Sequence, residues 1–247
     1  KVAVVSGGAT GIGRGIAEGL SEAGADIVVA SRRKSACETA CSEIAAAAGV
    51  RTLALKCDVT RRSDAESLVA ETVSNLGRLD ILVNNSGVGG SEKPILEMEE
   101  SDWAAVVDTN LKGVFLLSKQ AAVHMADRGG GGKIINVASI GAMIGWPKMS
   151  AYCASKGGCM QLTKVMALEW ARYDIQVNAI LPGYFETPMN RDFFSSPAGK
   201  QVIKSAIPMR RIAQQTEVKG AAVLLASAAS SFMTGAGIVI DGGHTLN

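Results

Sequence analysis

The sequence predicts a single α/β domain, built on a doubly wound parallel sheet of about seven strands with helices on both faces. Short β-branched runs alternate with longer helical patterns along the chain. The runs are almost continuously apolar, as strands covered on both faces must be. No linker or shift in composition divides residues 1–247, so we expect one domain.

The predicted elements follow one another in regular order. Strands are predicted at 2–6, 26–31, 51–57, 79–84, 133–139, 175–181 and 236–241. Helices are predicted at 12–23, 35–48, 61–76, 99–127, 150–172 and 214–227. The proline-rich stretch after the sixth strand breaks this alternation. We expect an irregular substrate loop at about 183–213, because long insertions after parallel strands tend to be lids or binding loops.

Composition excludes several classes of function. The formal net charge is +2 and no block of five or six basic residues occurs, so no nucleic-acid partner is expected. Apolar runs are broken before about 18 residues, which argues against a membrane span. The first residues form a strand pattern rather than a secretory signal. The cysteines have no metal-ligand spacing, which indicates reduced thiols, a cytoplasmic protein and no metal site; they are Cys37, Cys41, Cys57, Cys153 and Cys159.

A glycine-rich turn stands between the first predicted strand and its helix. It reads SGGATGIG (6–13), with glycines at 7, 11 and 13 that let the backbone turn tightly and approach a pyrophosphate closely. The helix that begins near Ile12 directs free N–H groups and about half a positive charge at the same place. We expect a dinucleotide to bind here; the alternative is a tight turn without a ligand.

Tyr152 and Lys156 stand four residues apart near the start of the predicted helix 150–172, so they share one face of it. A free tyrosine, with a pKa near 10, is a poor base at pH 7. A positive charge within about 4–6 Å favours the phenolate. The pair could therefore move the hydroxyl proton of a secondary alcohol while its hydride leaves. The alternative is a snorkelling surface pair.

The sequence holds seven short motifs that occur together in one known family. In order they are SGGATGIG (6–13), CDV (57–59), NNSG (84–87), TNLKG (109–113), NVAS (136–139), YCASK (152–156) and PGYFET (182–187). In this order they resemble the short-chain dehydrogenase/reductase family along essentially the whole chain. The resemblance implies a Rossmann fold, an NAD(P)-dependent oxidoreductase acting on CH–OH groups, and a homotetramer.

The resemblance also implies roles for single positions. Tyr152 would be the general acid/base, Lys156 would act beside it and hold the nicotinamide ribose, and Ser139 would donate to the substrate oxygen. Asn110 would hold a water that connects Lys156 with solvent. Together with the turn after the second strand, the expected cofactor positions are Gly7, Thr10, Gly11, Ile12, Gly13, Ser31, Arg32, Arg33, Asp58, Val59, Asn85, Ser86, Gly87, Tyr152, Lys156, Pro182, Gly183 and Thr187.

The turn after the second strand favours NADP(H). A free ribose 2′-hydroxyl needs a carboxylate there, but the sequence has Ser31, Arg32 and Arg33, and Asp26 lies at the other end of the strand. Guanidinium groups bind a 2′-phosphate through charge-assisted hydrogen bonds. NAD(H) stays open, since Thr10 stands where some NADP(H)-preferring members of the family carry a second basic residue.

The sequence says less about the substrate than about the cofactor or the catalytic residues. Met143 and Trp146, together with Tyr184 and Phe185 of the loop, are expected to line a mouth for a carbonyl or alcohol. The resemblance suggests 3-oxoacyl thioesters, sugars or sugar acids, cyclic ketones and steroids. His244 is expected to be a solvated terminal residue; the alternative is a position near a subunit interface. A dinucleotide sensor without turnover is the other class of function, but the serine, tyrosine and lysine of the motifs are all present, which favours an enzyme.

Overall fold

The computed structural model describes residues 1–187 and 190–246. Positions 188–189, inside the predicted substrate loop, and residue 247 lie outside the described residues. The described chain forms a seven-stranded sheet with helices on both faces.

The sheet confirms the predicted fold class. Its strands are β1 (Val2–Ser6), β2 (Asp26–Ser31), β3 (Thr52–Lys56), β4 (Ile81–Asn84), β5 (Gly132–Val137), β6 (Ile175–Pro182) and β7 (Gly237–Ile240). They stand in the order β3-β2-β1-β4-β5-β6-β7, and all six neighbouring pairs are parallel. The strand order reverses between β1 and β4, where a doubly wound sheet opens a crevice at the carboxyl ends of its strands.

The helices are α1 (Gly11–Glu22), α2 (Lys34–Ala48), α3 (Arg62–Leu76), α4 (Glu100–Val107), α5 (Gly113–Arg128), α6 (Ser150–Trp170), α7 (Arg191–Ser195), α8 (Pro197–Ala206) and α9 (Lys219–Ala226). The predicted helix 99–127 is interrupted, since a π-helical stretch, Asp108–Lys112, separates α4 from α5. The predicted helix 214–227 begins with a 3₁₀ turn, Gln215–Val218, and continues as α9.

Two apolar clusters form the core, one on each face of the sheet. Side chains of β1 alternate between them, as the pleat of a strand requires: Val2 and Val4 join one cluster, and Ala3 and Val5 join the other. Helices α3, α5 and α6 cover the first cluster, and α1, α2 and α9 cover the second. Within the described residues, no helix combines the length and apolar character that crossing a bilayer demands.

The segment at 183–213 is more regular than we expected, because it carries α7 and α8. Ser196 Oγ accepts a hydrogen bond from Gly199 N (3.1 Å), and Pro197 occupies the first turn of α8. A serine cap followed by proline starts a helix, so this part of the expected irregular loop is helical. Tyr184 O accepts a hydrogen bond from Ala213 N, and Glu186 N donates one to Ala213 O, so the two ends of the segment pair at its base.

Candidate active site

The glycine turn lies at the carboxyl end of β1 and opens α1. Gly7 and Gly11 have φ of 64° and 60°, which side chains other than glycine rarely adopt. The side chain of Thr10 does not cap α1, so the first N–H groups of this helix remain available to an anion. Thr187 lies across from the turn, since a Cβ added to Gly11 would stand 3.4 Å from Thr187 Cγ2. These features fit the diphosphate of a dinucleotide.

The loop after β4 holds the glycine turn in shape. Asn85 Nδ2 donates to the carbonyls of Ser6 and Gly7, both at 3.1 Å. The backbone N–H groups of Asn85 and Ser86 donate to Ser6 Oγ, again at 3.1 Å. A Cβ added to Gly13 would overlap with the Asn85 side chain. The predicted cofactor positions of these two segments therefore lie together.

The turn after β2 presents cations that form no salt bridge with a described carboxylate. Arg32 and Arg33 are both exposed there. Arg33 N donates to Ser31 Oγ (3.2 Å), which shapes the turn. Asp26 stands at the opposite end of β2, where Arg51 pairs with its carboxylate at 2.6 Å. The structure thus places Asp26 where the sequence predicted, away from the turn.

Asp58 follows β3 beside this turn. Its Oδ1 accepts hydrogen bonds from Thr60 N (3.0 Å) and Thr60 Oγ1 (2.8 Å). Burial alone would raise the pKa of Asp58, but these bonds and the charges of Arg32 and Arg61 lower it overall. Asp58 therefore presents an ionised carboxylate at this edge. Val59, the next residue, is buried against the start of α5. A Cβ added to Gly113 there would stand 2.8 Å from Val59 Cγ2.

Tyr152 and Lys156 occupy one face of the first turns of α6, as predicted. Lys156 Nζ lies 5.7 Å from the centroid of the Tyr152 ring. Lys156 is 5% exposed, and its Nζ donates to Val137 O at the end of β5 (2.9 Å). No described carboxylate forms a salt bridge with Lys156.

Asn110 lies in the π-helical stretch and is 1% exposed. Its Oδ1 accepts from Val88 N (2.8 Å), and its Nδ2 donates to Val88 O (2.9 Å) and Ser155 Oγ (3.1 Å). A Cβ added to Gly87 would stand 3.2 Å from Asn110 Oδ1 and 3.5 Å from Lys156 Nζ. The structure therefore brings Asn110 and Lys156 together, but protein groups already use both amide hydrogens of Asn110. The water expected beside Lys156 stays a prediction.

Ser139 lies directly after β5, at the same edge of the sheet. Its Oγ accepts from Gly141 N (3.0 Å), which leaves the hydroxyl hydrogen free to donate to a substrate oxygen. A Cβ added to Gly141 would stand 3.4 Å from Ser139 Oγ and 3.2 Å from Tyr152 Cε1. Ser139 and Tyr152 thus flank the Gly141 backbone, and the predicted catalytic groups meet at one place.

Aromatic side chains form a wall beside Tyr152. The Trp146 ring lies nearly parallel to the rings of Tyr152 (centroids 6.2 Å apart) and Tyr184 (6.0 Å). Met143 is exposed nearby in sequence. The expectation that Phe185 lines the same mouth is not met. Its side chain is 2% exposed and packs into the core cluster that α1, α2 and α9 cover, because Tyr184 takes the outward position next to it.

His244 lies in a place that the sequence did not predict. Its ring lies 5.4 Å from that of Tyr184 and 6.5 Å from that of Trp146, rather than in solvent. No local pattern could show this contact, because it joins the chain end to segments far away in sequence. Among the described residues, no cluster of three or more His, Cys, Asp or Glu side chains is arranged to hold a metal ion.

Residues 7–245 match the family described as Enoyl-(Acyl carrier protein) reductase. This range contains every candidate site residue and all but the first residue of the motifs that resemble short-chain dehydrogenases/reductases. The chain belongs to the short-chain dehydrogenase/reductase family. The predicted family and fold are therefore confirmed.

Relatives within this family differ in the cofactor that their names give. The chain is 40% identical over 243 residues to 2-dehydro-3-deoxy-D-gluconate 5-dehydrogenase of Escherichia coli K12, covering 98% of this chain and 94% of that one. It is 39% identical to the NAD-dependent glycerol dehydrogenase of Listeria innocua, covering 100% and 94%. A solved gluconate 5-dehydrogenase from Burkholderia cenocepacia, in complex with NADP and tartrate, is 38% identical with a TM-score of 0.94, covering 100% and 96%.

Proposed function

We propose that this chain transfers a hydride between NADP(H) and a secondary alcohol or carbonyl compound, with a sugar acid as the favoured substrate class. One observation carries the proposal. Ser139 and Tyr152 meet at Gly141, and Lys156 lies beside the Tyr152 ring, at the edge of the sheet where the glycine turn opens α1. Relatives named for gluconate derivatives support the substrate class, although ketones and 3-oxoacyl compounds use the same chemistry.

The proton of the reaction moves through Tyr152. During oxidation the phenolate takes the hydroxyl proton of the substrate, and during reduction the phenol returns it. Lys156 supports this role by placing its ammonium 5.7 Å from the centroid of the ring, where no described carboxylate forms a salt bridge with it. Ser139 donates its hydroxyl hydrogen to the substrate oxygen and steadies the charge that develops there.

The cofactor is held by groups that the structure leaves available. The N-terminus of α1 would bind the diphosphate, Asp58 the adenine, and Arg32 and Arg33 the 2′-phosphate. When bound, the nicotinamide supplies or accepts the hydride. Arg32 and Arg33 are exposed and pair with no carboxylate of the described residues, which supports NADP(H), whereas a relative named as NAD-dependent keeps NAD(H) as the alternative.

The experiment is a titration of the purified protein with NADPH and with NADH, followed by turnover assays. D-gluconate, 3-oxoacyl thioesters and simple ketones form the substrate panel. We expect NADPH to bind at least tenfold more tightly, since a charge-assisted phosphate contact is worth about 1.5–3 kcal/mol. Tighter binding of NADH would contradict the choice of cofactor only. Cofactor binding without turnover on the whole panel would contradict the enzyme and favour a sensor.

We also propose that the chain forms a homotetramer. Strand β7 ends the sheet, and its outer edge pairs with no described strand. Exposed apolar side chains stand on α5, on α6 and around β7; they are Phe115, Val123, Val165, Leu168, Phe232, Val239 and Leu246. Sedimentation equilibrium tests this, with an expected mass four times that of the 25.5 kDa chain. Cytoplasmic location and the lack of a nucleic-acid partner stay predictions.

A further inference from the structure

The turn after β7 fixes the position of His244. Asp241 Oδ1 accepts from Gly243 N, and Asp241 Oδ2 accepts from the backbone N–H and the hydroxyl of Thr245, all at 2.8 Å. Gly242 and Gly243 have φ of 64° and 88°. These two glycines let the turn pack closely against the end of α8, where an added Cβ would meet residues 207 and 208 at 3.0 Å. The residue that follows is therefore held in place.

The imidazole of His244 has aromatic neighbours and no polar partner. Tyr184 and Trp146 flank it, and Trp146 in turn lies beside Tyr152. His244 Nδ1 is buried, yet it forms no hydrogen bond with a described residue. Nε2 also lacks a hydrogen bond to the described residues, but it is not among the buried unpartnered atoms. Polar groups of ligand sites are ordinarily paired when a ligand binds, and Nε2 is the ring nitrogen that is not fully enclosed by the described residues.

We propose that His244 is a specificity-determining residue that orients the substrate, and this rests on the function proposed above. Its Nε2 forms a hydrogen bond with a hydroxyl or carboxylate oxygen at the end of the substrate away from the reacting carbon. Ligand sites typically combine apolar walls with a few fixed polar groups. Trp146 and Tyr184 supply such a wall beside Tyr152, and His244 supplies a polar group within it.

Two variants separate this role from simple packing against the wall. His244→Phe keeps an aromatic ring and removes both nitrogens, whereas His244→Gln keeps hydrogen-bonding capacity and removes the ring. If His244 orients the substrate, the Gln variant retains more activity on hydroxylated substrates than the Phe variant. If it only packs, the order is reversed. His124→Phe, which changes the other histidine of the chain, is the matched control.

The assay measures kcat and KM for D-gluconate, for D-sorbitol, which lacks the carboxylate, and for cyclohexanol, which has one hydroxyl. We expect His244→Phe to lower the kcat/KM ratio of D-sorbitol to cyclohexanol about tenfold, mainly through KM, as loss of one hydrogen bond would. A larger loss for D-gluconate than for D-sorbitol identifies the carboxylate as the partner. An unchanged ratio, or a Phe variant better than the Gln variant, overturns the inference and leaves the proposed function intact.

Imidazole NMR spectra give a second readout that needs no turnover. The chain has two histidines, so His124→Phe leaves a single ring to observe. With oxidised cofactor bound, we expect D-gluconate or D-sorbitol to shift the His244 ring nitrogens, and cyclohexanol to leave them in place. Ring signals that no polyol moves contradict the inference, even where turnover is normal. Failure of every alcohol to turn over or to shift the signals overturns the inference together with the proposed function.

Discussion

Two charged side chains at opposite edges of the sheet, Asp80 and Lys156, differ in how they are paired. At the amino edge, carboxylates are paired: Asp80 accepts from Val2 N (2.8 Å), Arg78 (2.7 Å) and Arg128 (2.8 Å). At the carboxyl edge, the ammonium of Lys156 donates to a backbone carbonyl and pairs with no carboxylate of the described residues. Paired charges at one edge join separate parts of the chain, whereas unpaired charges at the other edge stay available for a ligand.

One group at the amino edge departs from this rule. Lys133 is buried at the start of β5, and its Nζ meets only Ser230 Oγ, at 3.5 Å. Burial lowers the pKa of Lys133, and the charge of Lys1 lowers it further. The difference between the edges is therefore one between Asp80 and Lys156, and it does not extend to every charge at either edge. We therefore expect the substitution of Tyr152 at the carboxyl edge to reduce activity, and the substitution of Asp80 at the amino edge to reduce stability.

Tyr152→Phe should have the largest effect and tests the carboxyl edge. Removing the phenolic oxygen abolishes proton transfer, so we expect kcat to fall about 10³-fold, within the 10²–10⁴ range of general acid–base catalysis. The free energy of unfolding in urea should change by less than about 0.5 kcal/mol. Tyr173→Phe, at an exposed tyrosine near the amino edge, is the control. A Tyr152→Phe variant with activity within tenfold of wild type contradicts the assigned role.

Asp80→Asn should have the largest effect at the amino edge. Burial raises the pKa of Asp80, but bonds from Arg78, Val2 N and Arg128 outweigh it and lower the pKa to about 2 from 3.8. At 1.36 kcal/mol per pKa unit, the charged form contributes about 2 kcal/mol to stability near pH 7. We expect Asp80→Asn to lose about that much in urea unfolding and to leave kcat within twofold.

The pH dependence of the free energy of unfolding tests whether the charge of Asp80 causes this loss of stability. A carboxylate whose pKa is lowered by folding stabilises the protein above its unfolded pKa, near 4, and the contribution disappears as the pH falls towards 2. The stability difference between wild type and Asp80→Asn should therefore shrink between pH 4 and pH 2. A difference that stays constant over that window would assign the loss to packing instead of charge.

Arg32→Ala should have a smaller effect, confined to one cofactor. Loss of a guanidinium contact to a 2′-phosphate should weaken NADPH binding about tenfold, or about 1.4 kcal/mol. NADH affinity should hardly change, because NADH carries no phosphate there. Fluorescence titration measures both constants, and Arg172→Ala, at a cation beyond the end of α6, is the control. Equal weakening of both cofactors would show that Arg32 does not read the phosphate.

Asp26→Asn should have the smallest effect. Its partner Arg51 is largely exposed, and exposed ion pairs contribute about 0.2–1 kcal/mol. We expect a loss of stability in that range that disappears in high salt, with unchanged affinity for NADH and NADPH. A change in cofactor affinity would contradict the placement of Asp26 away from the cofactor turn.

Local patterns were enough to predict most of the fold and the centre of the site. Apolar runs of strand length set β1 to β7, and the spacing of Tyr152 and Lys156 on one helical turn set their geometry. The errors concern contacts between distant segments. Alternation in the loop did not tell which of Tyr184 and Phe185 turns into the core, and nothing near His244 indicated that it would reach Tyr184. Such contacts depend on tertiary packing, which sequence periodicity does not encode.

The paired ends of the 183–213 segment have a consequence for how this chain can change over evolution. Tyr184 and Glu186 bond to Ala213, so the segment leaves the sheet and returns to it at one place. Exposed residues of α7 and α8 can be exchanged while β6 and its register with β7 stay as they are. Contacts made by this segment can therefore change while Ser139, Tyr152 and Lys156 keep their positions after β5 and on α6.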